Sequence, residues 1–292
     1  MRRHLKPTTQ NNSAVLYRQK LTSTLEAFSA LCEREGLRWY LAFGSAIGAV
    51  RHGGIIPWDD DIDVYMPRPD FEKLLCAKVP VGYEILTPRK VSGLPFTYAK
   101  FSDTGSSIWE MKKYPFVTGV FIDVFPLDSV REDKAEGLRK TFIKRLIAYK
   151  RGVRRTDFAS WCHASLHDRL AAVQDLIWYR PLKNRSLSRL LALESALSKE
   201  EGDRFIVYDN IYPLGKVLYD KSLFAGTREV TFEGLKAKLP CGNDALLTQI
   251  YGDYLTPPPA DKRVSGHHCH FINLEKRLSI PEIKKLLRNQ VK

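Results

Sequence analysis

Four aspartates fall within five residues, at Asp59, Asp60, Asp61 and Asp63. Like charges this close repel, so the cluster destabilises the chain unless something neutralises it. A divalent cation is the natural neutraliser. An all-carboxylate ligand set points to Mg²⁺ or Mn²⁺, which keeps water and phosphate in its shell. Residues 61–65 alternate Asp-Ile-Asp-Val-Tyr, a strand pattern. Alternate strand residues share a face, so Asp61 and Asp63 are expected to point one way while Ile62 and Val64 enter the core. Such a pair can hold one or two metal ions beside a phosphate.

A third carboxylate is expected at Asp123, between Ile122 and Val124 in an apolar run, 119–125, predicted to be a buried strand stopped by Pro126. An unpaired aspartate there would be costly. Pairing with an arginine, or capping a turn, is the bland alternative. Upstream, a small turn at Gly44-Ser45-Ala46 between a strand over 38–43 and a short helix from Ile47 lets backbone N–H groups approach a phosphate. The Ser45 hydroxyl can add a hydrogen bond. Arg51 suits phosphate, and His52 is a candidate general base against a simpler role in orienting its loop. Trp58 could hold a quaternary ammonium by cation–π attraction, although a packing role is favoured. Lys100, with Asp103 just after it, is read as a donor-phosphate contact or a surface salt bridge. Among His267, His268, Cys269 and His270, adjacent residues seldom all point inward, which disfavours zinc. A phosphate or acceptor contact by Arg263 and His267 is preferred.

The elements that must position these groups follow from periodicity. Residues 14–35 read as an amphipathic helix ended by Gly36. Short strands are expected over 83–87, 97–102 and 106–110, and a helix over 70–77. From 132 to 199 the pattern turns helical and basic. Strands return near 204–208 and 228–232, a helix follows over 244–251, and the tail from Pro281 is a short helix. The expected class is α+β: a catalytic core over 14–130, a basic helical insertion over 131–200, and a C-terminal part over 201–292 that completes the site.

The chain has 292 residues, 44% of them hydrophobic and 27% charged, which excludes disorder as the default. Five scattered cysteines form no C-x-x-C pair and fit a reducing compartment. No leader-like apolar run opens the chain and no stretch approaches the roughly 18 apolar residues of a membrane span. The expected location is cytoplasmic. A net charge of +13 implies an anionic partner. Residues 139–155 carry Arg139, Lys140, Lys144, Arg145, Lys150, Arg151, Arg154 and Arg155 between apolar residues, as a helix resting on the inner face of an anionic membrane would. Base-stacking aromatics on a basic groove are not evident, so nucleic acid is not expected as a partner.

A Gly-Ser turn, an Asp-x-Asp strand and a later lone aspartate resemble the polymerase-beta-like nucleotidyltransferase fold. The run Gly48-Ala49-Val50-Arg51-His52-Gly53-Gly54-Ile55-Ile56-Pro57-Trp58-Asp59-Asp60-Asp61-Ile62-Asp63-Val64, with Met66-Pro67-Arg68-Pro69-Asp70-Phe71 after it, resembles the LicD family. So do Phe121–Asp128, Phe232-Glu233-Gly234 and Tyr251-Gly252-Asp253-Tyr254. The resemblance runs from about residue 20 to residue 270. It implies transfer of a phospho-alcohol, typically phosphocholine, from a CDP-linked donor to a sugar hydroxyl of a glycan or glycolipid, with CMP leaving. It carries the metal ligands onto Asp61, Asp63 and Asp123. Serine replaces the family's usual threonine at Ser45, and Tyr65 stands where a small residue is frequent and could narrow the site. Two alternatives stay open: a nucleotidyltransferase moving the NMP itself, and a basic nucleic-acid-binding module.

Overall fold

The computed structural model describes residues 7–91, 93–156, 161–162, 164–263 and 269–291. In chain order the elements are α1 (Pro7–Arg34), β1 (Tyr40–Leu41), α2 (Phe43–Arg51), β2 (Asp63–Pro67), α3 (Arg68–Cys76), β3 (Tyr83–Leu86), β4 (Ala99–Asp103), β5 (Ser107–Trp109) and β6 (Phe121–Val130). Then come α4 (Glu132–Val153), α5 (Leu166–Gln174), a π-helical turn (Asp175–Tyr179), α6 (Lys183–Leu197), β7 (Arg204–Ile206) and β8 (Leu218–Asp220). The chain closes with β9 (Thr227–Phe232), β10 (Leu235–Pro240), α7 (Asn243–Tyr251), β11 (Phe271–Asn273) and α8 (Ile280–Val291). No helix among the described residues is long and apolar enough to cross a membrane.

The architecture is α+β. A mixed sheet runs β1-β2-β6-β4-β3, and β7, with β8 beyond it, pairs with the far end of β6. Only β2 and β6 are parallel. The remaining ladders of this sheet are antiparallel. Helix α1 covers one face with Leu21, Leu25, Phe28 and Leu31, all buried against Trp39 and Phe101. These recur at the three- and four-residue spacing that puts them on one helical stripe.

The structure moves three boundaries in ways that matter for the site. The strand expected over 38–43 is only Tyr40–Leu41, because Phe43 takes a left-handed φ of 44° and starts α2. Gly44, Ser45 and Ala46 are therefore the first turn of a helix, not a free turn. Second, β2 begins at Asp63, so Asp61 precedes the strand. Third, Pro126 does not end β6, which continues to Val130. Asp123 N–H donates to Ile62 on the β2 side. Alternation then turns position 126 to the opposite side. There β4 has run out at Val124 and β7 begins only at Asp128, so no ladder bond is lost to the proline.

The helical segment is tied to the sheet by a buried ion network. Arg68 Nε and Nη2 donate to the Asp128 carboxylate at 2.6 and 2.8 Å, and its Nη1 donates to Glu194 on α6 at 3.1 Å. All three side chains are buried. Bidentate geometry of this kind offsets the desolvation of the ions.

Candidate active site

The register of three neighbouring strands builds the floor. Asp63 on β2 lies directly opposite Asp123 on β6, and Asp123 lies opposite Lys100 on β4. Directly opposed residues share a face, so two carboxylates and an ammonium form one row across the sheet. Lys100 Nζ donates to both Asp123 oxygens, at 2.8 and 3.1 Å, and lies 3.4 Å from Glu110. Burial works against the Lys100 charge, but Asp123 and then Glu110 outweigh it and raise its pKa. Lys100 is thus committed to Asp123 from within the sheet, and is buried rather than open to a donor phosphate. Asp103 is separately engaged by Gly105 N–H, the Ser106 hydroxyl and Lys20, so no Lys100–Asp103 surface bridge forms.

Helix α2 delivers the second layer. Ser45 is buried, and its hydroxyl accepts the Asp63 N–H at 2.9 Å, which fixes the helix start to β2. Its role is therefore anchoring. Gly44 meets the pocket directly. A Cβ there would lie 2.7 Å from Asp59 Oδ2, so only glycine lets that carboxylate reach the helix N-terminus. Carboxylates there are favoured by the helix dipole and by N–H groups that lack intrahelical partners.

Gly44, Asp59, Asp61, Asp63 and Asp123 line one cavity of about 440 Å³. Phe43, Tyr98, Phe125, Tyr212 and Tyr251 supply aromatic walls, and Lys150 and Asp209 add one charge of each sign, 3.7 Å apart. Burial, then Asp61, Asp123 and Asp59, raise the Asp63 pKa well above the carboxylate range, with Lys100 opposing. Such a donor set fits a divalent cation: oxygen ligands only, and more negative charge than the two lysines balance. The tightest trio among the described residues is not the expected one. Ligand atoms of Asp59, Asp60 and Asp61 lie within 4.8 Å of one another, whereas Asp61, Asp63 and Asp123 do not meet that spacing as a set. Asp60 faces a different groove, lined with Tyr17 and Pro57. The four aspartates that share the cavity are the better ligand candidates.

The loop carrying Asp59 to Asp61 is held by the C-terminal motif. Glu233 Oε1 accepts from Ile55 N–H at 2.8 Å and from Arg18 at 2.6 Å, while Glu233 N–H donates to Gly53 O. A Cβ on Gly54 would strike Glu233 Oε1, and one on Gly48 would strike Gly54 O. Those glycines pack loop on helix and loop on Glu233.

Other residues expected at the site gather at the opposite end of α2. Arg51 and Arg263 guanidinium groups lie 5.7 and 5.3 Å from the Trp58 ring centroid, and His52 meets that ring edge-on at 5.9 Å. Arg51 donates to Tyr254 O and Arg263 to Pro258 O. Two cations already engage Trp58, so the indole is poorly suited to a quaternary ammonium. His52 is exposed, lies outside the acidic cavity, and has its pKa lowered by burial, then by Arg51 and Arg18. A base role for His52 and phosphate roles for Arg51 and Arg263 at this cavity are not what the geometry favours. Tyr65 does not narrow the site: it is buried, its hydroxyl 3.0 Å from that of Tyr219. His267 and His268 lie outside the described residues. Sequence reasoning missed Tyr98, Asp209 and Tyr212, and assigned Lys150 to a membrane-facing helix. Nothing local marks them, although Tyr251 stood in a motif already singled out.

A mixed sheet whose adjacent strands present paired aspartates beside a helix with glycine in its first turn is consistent with a nucleotidyltransferase-type domain. This chain matches, over residues 36–153, the family model of the LicD/FKTN/FKRP nucleotidyltransferase domain. It is 28% identical over 253 residues to the lipopolysaccharide cholinephosphotransferase LicD of Haemophilus influenzae, covering 83% of this chain and 91% of that protein. It is also 46% identical over 44 residues to the ribitol 5-phosphate transferase FKRP of mouse and of human, which spans 15% of this chain and 9% of each of those proteins.

Proposed function

We propose that the protein is a metal-dependent transferase that moves phosphocholine from a CDP-linked donor to a sugar hydroxyl of a surface glycan or lipopolysaccharide precursor. The observation that carries this reading is the Asp63–Asp123 register in a cavity shared with Asp59, Asp61 and Gly44. Similarity to one relative named for choline phosphate transfer and to others named for ribitol phosphate transfer supports the broader reaction class.

In this reading the four aspartates hold Mg²⁺ or Mn²⁺, which supplies charge neutralisation at the donor phosphates. The backbone at Gly44 approaches a donor phosphate, helped by the positive end of α2. Lys100 holds Asp123 in place through its two hydrogen bonds. The acceptor oxygen forms a bond to the choline-linked phosphorus, and the bond from that phosphorus to the bridging oxygen breaks. CMP leaves with the electron pair, and the acceptor proton passes to a carboxylate of the cluster. The choline head group is favoured over ribitol by the aromatic walls and Asp209, since rings and a carboxylate suit a permanent cation that forms no N–H bonds.

Isothermal titration with CDP-choline and CDP-ribitol, each with and without Mg²⁺, tests this. Metal-dependent binding of CDP-choline is expected. Binding of CDP-ribitol alone would move the reading to a polyol donor. Binding of neither by the folded protein would overturn the CDP-linked donor. Product analysis with a doubly labelled donor separates phosphocholine transfer from NMP transfer.

A further inference from the structure

The helical segment shows a second feature, independent of the acidic cavity. Helix α5 buries none of its residues. Leu166, Leu170 and Val173 lie one above another at helical spacing, and Leu176, Ile177 and Trp178 continue the row through the π-helical turn. Their exposures are 73%, 57%, 41%, 52%, 56% and 66%. Large apolar side chains left this open in one continuous row mark an interaction surface. The row is firmly mounted: Asp175, the one buried residue of the turn, pairs with Arg151 at 2.5 Å and Arg154 at 3.7 Å on α4.

What surrounds the row selects its partner. Between residues 139 and 189 there are 13 lysines and arginines against 3 aspartates, leaving +10 of the chain's +13. Lys140 and Lys144 on α4 share a groove with Tyr179 of the turn, and Arg185 and Arg189 on α6 are exposed as well. The flanking helices are in contact, with Arg145 of α4 donating to Arg189 O of α6. A second copy of this chain would bring like charge to like charge. A nucleic acid would satisfy the cations and leave the leucines and Trp178 in water. An anionic bilayer satisfies both, since apolar side chains enter the acyl boundary while lysine and arginine meet the head groups. The contact expected over 139–155 is thereby relocated. Phe142, Leu146 and Tyr149 of α4 are buried in the protein, so α4 supplies charge and α5 with its π turn supplies the inserting face.

We infer that α5 and the π-helical turn form a docking surface that lays the protein on an anionic lipid bilayer. Helix α4 joins that surface to the cavity, because it carries both Arg151, which pairs with Asp175 of the turn, and Lys150 of the cavity wall.

The test uses the full chain and vesicles of phosphatidylcholine alone or with about 30 mol % phosphatidylglycerol. Wild-type protein is expected to co-sediment with the anionic vesicles only, with a blue shift of tryptophan emission. The double variant Leu170→Glu/Ile177→Glu is expected to lower partitioning about tenfold or more. Its circular dichroism and its metal binding at the cavity should be unchanged, because both residues are exposed and neither lines the cavity. Trp178→Phe should keep binding and lose most of the blue shift. The inference is overturned if the double variant partitions like wild type. It is also overturned if the blue shift survives in Trp178→Phe. Wild-type protein that ignores anionic vesicles yet binds an oligonucleotide, or forms a dimer that the double variant dissociates, overturns it too.

Discussion

The two ends of α2 contrast sharply, although one short stretch of sequence builds both. At the N-terminal end, Gly44 admits Asp59, and Asp61, Asp63 and Asp123 close round the same cavity. At the C-terminal end, Arg51, His52 and Arg263 surround Trp58 in a more exposed setting. Arg51 is seven residues from Gly44, or roughly 10 Å along the helix axis. Each end carries the charge its helix dipole favours, anionic at the start and cationic at the close. Adjacency in a motif therefore did not mean adjacency in a site. Strand register joined Asp63 to Asp123 across sixty positions of sequence, while the helix carried Arg51 and His52 away from Gly44.

The sharpest way to break this contrast is Asp63→Asn, which is expected to cost about 10³-fold in turnover. Its effect on stability should have the opposite sign. Asp63 has a folded pKa above its ordinary value, so the folded protein holds that proton longer than the unfolded chain. Stability from this group is present at acidic pH and falls as pH rises through the raised value. At neutral pH and without metal, Asp63→Asn should therefore raise Tm by about 2 °C or more. Unchanged or lower Tm would show that Asp63 is already compensated in the apoprotein.

Asp123→Asn should lose turnover comparably but lower stability, because it leaves Lys100 buried beside a neutral group. Breaking a buried pair costs about 3 kcal/mol, and Glu110 moderates the loss. Denaturant midpoints for Asp123→Asn and for Asp123→Asn/Lys100→Met measure it. If the single variant is as stable as wild type, the row across β2, β6 and β4 does not carry the charge balance described. Next in size is Gly44→Ala, whose Cβ would displace the Asp59 carboxylate; turnover should fall about 10²-fold with little change in Tm.

The smallest effect is expected at the other end of α2. His52→Ala should leave turnover within about twofold of wild type, as for an exposed residue away from the chemistry. A pH–rate profile that loses its limb near neutrality in His52→Ala would return His52 to the mechanism and erase the contrast.

Much of the fold was legible because its elements are locally coded. The α1 stripe of Leu21, Leu25 and Phe28, the apolar run around Asp123 and the helical stretch after residue 132 each obey one period. The errors came where tertiary context overrode that code. Phe43 was read as the end of a strand, and only its packing on Tyr65 and Phe125, with ring centroids 5.0 and 5.4 Å away, accounts for a left-handed phenylalanine. Pro126 was read as a strand stop, and a gap between β4 and β7 accommodates it.

The sequence by itself set the expectation for the chemistry: clustered aspartates repel one another and suit a cation, and the resemblance of residues 48–64 to LicD proteins named the family whose domain model the chain matches. It did not mark Gly48 or Gly54, whose close packing on Gly54 O and on Glu233 appears only in the fold. Only the tertiary structure decided which charges work together. Lys100 turned out to serve Asp123, Trp58 to lie between two arginines, and the lipid-facing row proposed here to sit on α5 rather than α4. The physical reason is range: periodicity and turn chemistry act over a few residues, whereas strand register and helix docking fix distances between residues that local sequence cannot relate.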